Sequence, residues 1–311
     1  MTFQQKLNNI VKKNNSLLCV GLDSDITRIP EHISSGEHPQ STFNKAIIDE
    51  TADLVCAYKP NTAFYEARGK AGIEALKMTC DYIREKYPEI PIILDAKRAD
   101  IGNTNEGYVK FAYDYLGADA ITLHPYVGKE ALKPFLDRKD KNAFILCKTS
   151  NPGAGEIQDL IVTPGRSLPR LRSGQAGHLP GDSDKDTSEV TQRGSSDGGG
   201  VSKALYQIIA EHVVQSWNYN GNCGLVVGAT YPAELEIVRR IAGEMPILIP
   251  GIGAQGADVE KTVKAGVDED GLNAIINSSR SIIFASSSKD FAQKARIEAK
   301  RLMEDINKYR L

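Results

Sequence analysis

Eight short, continuous aliphatic runs recur along this chain of 311 residues, separated for the most part by longer stretches of helical period. The runs are SLLCVGLD, LVCAYKPN, PIILDAK, DAITLHP, NAFILCKT, CGLVVGAT, PILIPGI and LNAIINSS. Aliphatic residues without polar alternation imply strands covered on both faces. The intervening segments, such as AGIEALKMTCDYIREKY and YPAELEIVRRIAG, carry helical patterns, and Pro232 falls early, where a helix start tolerates it. Strand alternating with helix predicts an α/β fold with a parallel sheet. Eight such units predict a (β/α)8 TIM barrel, one domain over residues 1–311. An open doubly wound sheet is the alternative. It calls for a Gly-rich dinucleotide fingerprint after the first strand, and here that strand ends in GLDSD.

One stretch breaks the rhythm. Residues 163–200 are rich in Gly, Ser, Pro and Asp and nearly free of large apolar side chains. Such a composition buries too little surface to offset its ordering entropy, so a mobile insertion after the fifth strand is expected. Its Arg166, Arg170 and Arg172 read as solvated loop charge. With 25% charged and 41% hydrophobic residues and a net charge of −2, the chain has a soluble composition, without the basic bias of a nucleic-acid binder. No apolar run approaches a membrane span, and the polar N-terminus, with Phe3, Leu7, Ile10 and Val11 on one helical face, lacks the core of a secretory signal. The cysteines (19, 56, 80, 147 and 223) are odd in number and widely spaced, which predicts buried reduced thiols, no metal site and a cytoplasmic location.

In a barrel of this kind the chemistry sits at the C-terminal ends of the strands. Here polar residues end strand after strand: Asp23, Lys59, Asp95 with Lys97, Ser150, then Gly251, Gly253 and Gln255 beyond Pro250, and finally Ser279 with Arg280. Side chains two apart on a strand share a face, so Asp95 and Lys97 are expected to project together, with Ala96 pointing away. Asp100 follows past the strand end, and Lys59 on the neighbouring strand can approach Asp95, giving an alternating array of Lys59, Asp95, Lys97 and Asp100. Opposite charges ~4 Å apart gain about 1 kcal/mol in water and about 4 at an effective dielectric of 20, so such an array matters only when held away from bulk water. Gly251 and Gly253 let backbone N–H groups approach an anion, Arg280 offers a bidentate fork and Gln255 an amide, which suggests a phosphate grip. Blander roles are expected elsewhere: His124 as a structural or pocket-lining residue, Tyr126 and Trp217 as packing, Glu66 as loop support, and Arg98 as a solvated or interface charge. His32, His38, His178 and His212 show no ligand spacing.

Together, LDAKRADIGNT, AYKPNTAFYE, TSNPGAG, GLVVGATYP, IPGIGAQGAD and INSSRSI resemble the orotidine 5'-phosphate decarboxylase family, in its longer bacterial-type branch, from about Leu17 to Ala285. The D-x-K-x-x-D core is shared with other phosphosugar barrels. Its combination with Lys59, Ser150, Gln255 and Arg280 is more specific. The resemblance implies conversion of orotidine 5'-phosphate to UMP and carbon dioxide, with no metal or organic cofactor. It implies Lys97 as proton donor to pyrimidine C6, Asp95 beside the departing carboxylate, and Lys59 pairing with Asp95 and contacting the ribose. Asp23 would bind a ribose hydroxyl, Ser150 the pyrimidine, and Gln255 and Arg280 the phosphate. Pro250, Gly251, Gly253 and Ser279 would line that end of the site. Asp100, with Ile101 and Thr104, resembles a segment that completes the partner's site in a homodimer. The rival readings are another suprafamily enzyme, a 3-keto-gulonate-phosphate decarboxylase or hexulose-phosphate synthase, which would need a metal-binding acid, and a non-catalytic nucleotide-binding module.

Overall fold

A computed structural model describes residues 1–163, 201–253 and 258–310. Almost all of the insertion read over 163–200, and Gln255, therefore lie outside the described residues. The strands are β1 (Leu18–Gly21), β2 (Ala57–Lys59), β3 (Ile93–Arg98), β4 (Ala120–Leu123), β5 (Asn142–Lys148), β6 (Ile161–Val162), β7 (Lys203–Ala204), β8 (Cys223–Val227), β9 (Ile247–Pro250) and β10 (Ala274–Ser278). Eight of them form one parallel sheet in the order β2-β1-β10-β9-β8-β5-β4-β3, and each falls on one of the eight aliphatic runs. The sheet curls until its ends meet. Tyr58 N–H donates to Pro91 O at 3.0 Å and Asp95 N–H to Pro60 O at 2.9 Å, giving parallel bridges Tyr58–Ile92 and Asn61–Asp95 across the seam. β2 stops after three residues because Pro60 has no N–H to continue the ladder. The barrel, not the open doubly wound sheet, is the architecture.

β6 and β7 form a separate antiparallel pair on either side of the segment outside the described residues. The sequence reading missed them because two residues per strand carry no periodicity. Two predicted helices also change character partway. Thr104–Val109 continues through wider i→i+5 turns over Lys110–Tyr115, and Leu205–His212 through Val213–Trp217.

The helices bury one stripe each against the barrel; in Gly69–Lys86 the stripe is Ala75, Leu76, Cys80 and Ile83. The first helix, Phe3–Asn14, plugs one end. Thr2 caps it and Gln5 reaches back to the Thr2 N–H at 2.9 Å, a reciprocal capping pair. Phe3, Leu7, Ile10 and Val11 are buried as their spacing predicts, with the Phe3 ring edge-on to Phe144 at 5.6 Å. Lys6 binds Asp119 at 2.8 Å, and the same carboxylate accepts the Ile92 N–H at 2.9 Å. Asp119 precedes β4, so this helix closes the N-terminal end of the barrel and leaves the C-terminal end for chemistry. All five cysteines are free and buried, and burial pushes the thiols of Cys19, Cys80, Cys147 and Cys223 up to about 12. Among the described residues no helix is long and apolar enough to cross a membrane.

Candidate active site

Asp95 is the hub of the C-terminal end. Its carboxylate is 7% exposed, yet it accepts from Lys59 Nζ at 2.9 Å, Lys97 Nζ at 2.6 Å and Thr122 Oγ1 at 3.0 Å, with Asn61 Nδ2 at 3.4 Å. Lys59 is 2% exposed and has a second carboxylate, Asp23, at 3.8 Å. Burial alone would favour the neutral acid, but the Lys59 and Lys97 charges and their hydrogen bonds outweigh it and hold the Asp95 carboxyl well below the usual carboxylate range. Burial likewise opposes the Lys59 charge, and Asp23 with Asp95 overcomes it and lifts the ammonium above an ordinary lysine. Asp95 and Lys59 are thus held charged in a place where an isolated charge would be neutralised.

Asp95 and Lys97 do meet, though not along a regular pleat. The β3–β4 register shifts between Leu94 and Arg98, and Lys97 has a left-handed backbone, φ 47°. A side chain with a Cβ adopts that conformation at a cost, and local strain of this kind gathers at functional sites. The Thr122 hydroxyl spans the bulge, accepting from Lys97 N–H at 2.9 Å while donating to Asp95. The period-two argument therefore reached the right neighbours through the wrong geometry. Thr122 itself was missed, since a threonine in an aliphatic run reads as an ordinary strand residue.

Two adjoining cavities share Asp95, Ser150 and Pro250. One, about 410 Å³, is lined also by Lys97, Thr122, Thr149 and Gln158. The other, about 150 Å³, is lined by Asp23, Lys59, Gly251, Asn277, Ser279 and Arg280. The close approach of strands shapes both. A Cβ on Gly228 would fall 2.7 Å from the Ser150 Cβ, and one on Gly21 would fall 1.8 Å from Ser279 Oγ. Gly251 turns at φ 111°, a conformation that favours glycine. Asp23 Oδ1 is buried without a hydrogen-bond partner among the described residues, and Arg280 is exposed and makes no ion pair among them. The helix after Ser279 is a single turn, Arg280–Ile283, so the helix dipole expected here is small. Asn277, a buried polar residue inside an aliphatic run, was a readable signal that went unused.

Other expected residues lie elsewhere. Gly253 turns at φ 89° and lines a separate small cavity beside Ser281. Asp100, Ile101 and Thr104 line neither shared cavity, and Asp100 forms no ion pair among the described residues, so one chain assembles Lys59, Asp95 and Lys97 but not the fourth member of the array. Asn105 holds that loop, accepting from Asp100 N–H at 2.9 Å and donating to Asp100 O at 2.7 Å. Arg98, left undecided by the sequence, pairs with Glu66 and stacks 5.6 Å from the Tyr108 ring. Glu66 supports the loop as expected. Trp217 packs at 7% exposure, but Tyr126 is 92% exposed among the described residues. A larger groove of about 600 Å³ lies around Arg239, Glu244 and Asp268, near the starts of β9 and β10. Arg239 there spends its donors on the carbonyls of Gly243, Met245, Gly266 and Asn273, a structural clamp rather than a binding group.

Comparison with known proteins gives the family. A family model described as orotidine 5'-phosphate decarboxylase / HUMPS matches residues 16–170. The chain is 42% identical over 310 residues to orotidine 5'-phosphate decarboxylase of Janthinobacterium sp. strain Marseille, covering 99% of both. It superposes on Leishmania donovani OMP decarboxylase with a TM-score of 0.76 at 35% identity, covering 100% of this chain and 99% of that one. It also matches Leishmania donovani UMP synthase, TM-score 0.77 at 35% identity, and spans 57% of that longer chain. On the strength of an ionised Lys–Asp–Lys hub, a cavity divided about it and relatedness over its whole length, this chain belongs to the orotidine 5'-phosphate decarboxylase family.

Proposed function

We infer that the chain decarboxylates orotidine 5'-phosphate to UMP and carbon dioxide, the last step of de novo UMP synthesis. The observation that carries this reading is the buried Asp95 carboxylate held ionised between Lys59 and Lys97 at the junction of the two cavities. The pyrimidine occupies the larger cavity and the ribose phosphate runs toward the smaller. Asp23, whose Oδ1 has no hydrogen-bond partner among the described residues, accepts from a ribose hydroxyl. Arg280, with no carboxylate partner among the described residues, takes the phosphate beside the Gly251 turn.

Chemistry follows from the charges. The substrate carboxylate lies against Asp95, whose negative charge disfavours it, while Lys97 faces the C6 carbon. As the C–C bond breaks, the electron pair stays on C6, and the Lys97 ammonium stabilises it and then transfers a proton there. Lys59 is too buried to serve as that donor and fixes Asp95 instead. Grip on the phosphate, remote from the reacting bond, supplies binding energy for positioning the base.

Asp100, Ile101 and Thr104 act on the partner's site in a homodimer. Asp100 forms no ion pair among the described residues, and Ile101 (68%) and Tyr126 (92%) present apolar surface to solvent. Five buried thiols without a disulfide favour a cytoplasmic location. The test is an absorbance assay of the purified chain with orotidine 5'-phosphate, with and without EDTA. Decarboxylation unaffected by EDTA is expected. No turnover, or turnover lost on chelation, would overturn the reading in favour of a metal-dependent relative.

A further inference from the structure

Ser150 reaches the larger cavity from the loop after β5, and two consecutive rungs tie the base of that loop to one short segment. On the first rung Lys148, 1% exposed, donates to both oxygens of Asp159 at 2.6 and 2.7 Å. Its ammonium lies between the rings of Tyr231, at 4.7 Å, and Tyr206, at 5.9 Å. On the second rung the Gln158 amide grips Thr149 twice. Gln158 Oε1 accepts the Thr149 N–H at 2.9 Å, and Gln158 Nε2 donates to Thr149 Oγ1 at 2.8 Å. The Thr149 hydroxyl passes the chain on, donating to Asn151 Oδ1 at 2.6 Å. On the opposite side Ser150 abuts the Gly228 backbone, where even a methyl group would collide with it. Ser150 is therefore boxed between a backbone it cannot pass and an amide that fixes the residue before it.

We propose that Gln158 is a positioning residue for the pyrimidine end of the site, setting Ser150 through its two-point grip on Thr149. The assignment rests on the reading of this cavity as the pyrimidine site. The two rungs have different tasks. In Lys148–Asp159 the ammonium is buried and the carboxylate half exposed, so losing Asp159 would strand a buried charge and disturb folding. The Gln158 grip is between neutral groups on a half-buried side chain that itself lines the cavity, so its loss loosens Ser150 and leaves the barrel intact. The ribose-phosphate end, built from Asp23, Gly251 and Arg280, shares no hydrogen bond with Gln158 among the described residues.

The experiment compares Gln158→Ala and Thr149→Val with the natural chain in three measurements. These are steady-state kinetics on orotidine 5'-phosphate, the Kd of UMP, and the Kd of ribose 5-phosphate, which lacks the base. Two lost hydrogen bonds predict a fall in kcat/KM and in UMP affinity on the order of tenfold for Gln158→Ala. Thr149→Val keeps the backbone bond to Gln158 but loses the hydroxyl's bonds to Gln158 and Asn151, so it should lose a comparable amount, and the double variant should lose less than the sum. Ribose 5-phosphate affinity should stay within about twofold, since Asp23, Gly251 and Arg280 keep their places and Ser150 is the one lining residue of that end that is loosened. Equal losses for UMP and ribose 5-phosphate, or unchanged UMP affinity and kinetics in both variants, would overturn the assignment. Failure of the underlying reading is distinguishable, because the natural chain itself would then neither turn over orotidine 5'-phosphate nor bind UMP.

Discussion

Replacing Asp95 with Asn keeps the shape of the hub and removes its charge. Lys59, 2% exposed, then loses its 2.9 Å partner and keeps only Asp23 at 3.8 Å, while an amide N–H₂ group competes for the space that two ammonium groups occupy. Removing one partner from a buried pair costs about 3–5 kcal/mol when it strands the other charge. Asp23 retains part of the compensation, and Lys97, half exposed, is screened and adds little. A loss of about 2–3 kcal/mol is therefore expected, below that range. Urea unfolding followed by circular dichroism measures it as a lower midpoint at unchanged slope. The effect also has a pH signature. The folded-state value of Asp95 is depressed, so its contribution is present above the unfolded carboxyl value of about 3.9 and fades as pH falls through the lower folded value. The folded-state value of Lys59 is raised, so its contribution is complete below the unfolded lysine value of about 10.4 and is lost only at higher pH. The difference between the natural chain and Asp95→Asn should thus be flat from roughly pH 5 to 9 and shrink in acid. An Asn variant as stable as the natural chain at neutral pH would refute the idea that Lys59 depends on Asp95.

Other consequences follow from the same geometry. Arg280→Ala removes an exposed guanidinium with no ion pair among the described residues, so stability should hold within about 0.5 kcal/mol while KM rises on the order of tenfold or more; a normal KM would remove Arg280 from the phosphate site. Lys97→Ala and Asp100→Ala should each be inactive alone. Refolded together in equal amounts they should recover about a quarter of normal activity, because mixed dimers would carry one intact site; no recovery would show that Asp100 serves its own chain or another purpose. The buried thiols should resist alkylation in the native state at pH 8, since burial raises them well above the solution pH; rapid labelling counted by mass spectrometry would contradict their burial.

The barrel was legible because eight aliphatic runs without polar alternation leave few alternatives, and every strand of the barrel falls on its run, β3 alone passing its end by one residue, Arg98. The hub was legible from polar residues at the strand ends, Lys59 and Asp95 above all. What escaped is physical rather than accidental. Nothing in DAKRAD signals that Lys97 turns left-handed, because the bulge is fixed by Thr122 on the next strand. Tyr126 was read as packing, yet one chain leaves it in solvent, where pattern arguments about a single core have no purchase. Gln158 and Asp159 lie in a short polar stretch whose meaning depends on Lys148 and Thr149 across the loop.

The central claim is that Lys97 supplies the C6 proton at a site whose binding surface comes mostly from other residues. Single-turnover decarboxylation of orotidine 5'-phosphate by Lys97→Ala, measured beside its Kd for UMP, tests this directly. The account predicts a loss of turnover of at least about a thousandfold with UMP binding within about threefold of the natural chain. Near-normal turnover by Lys97→Ala would contradict it.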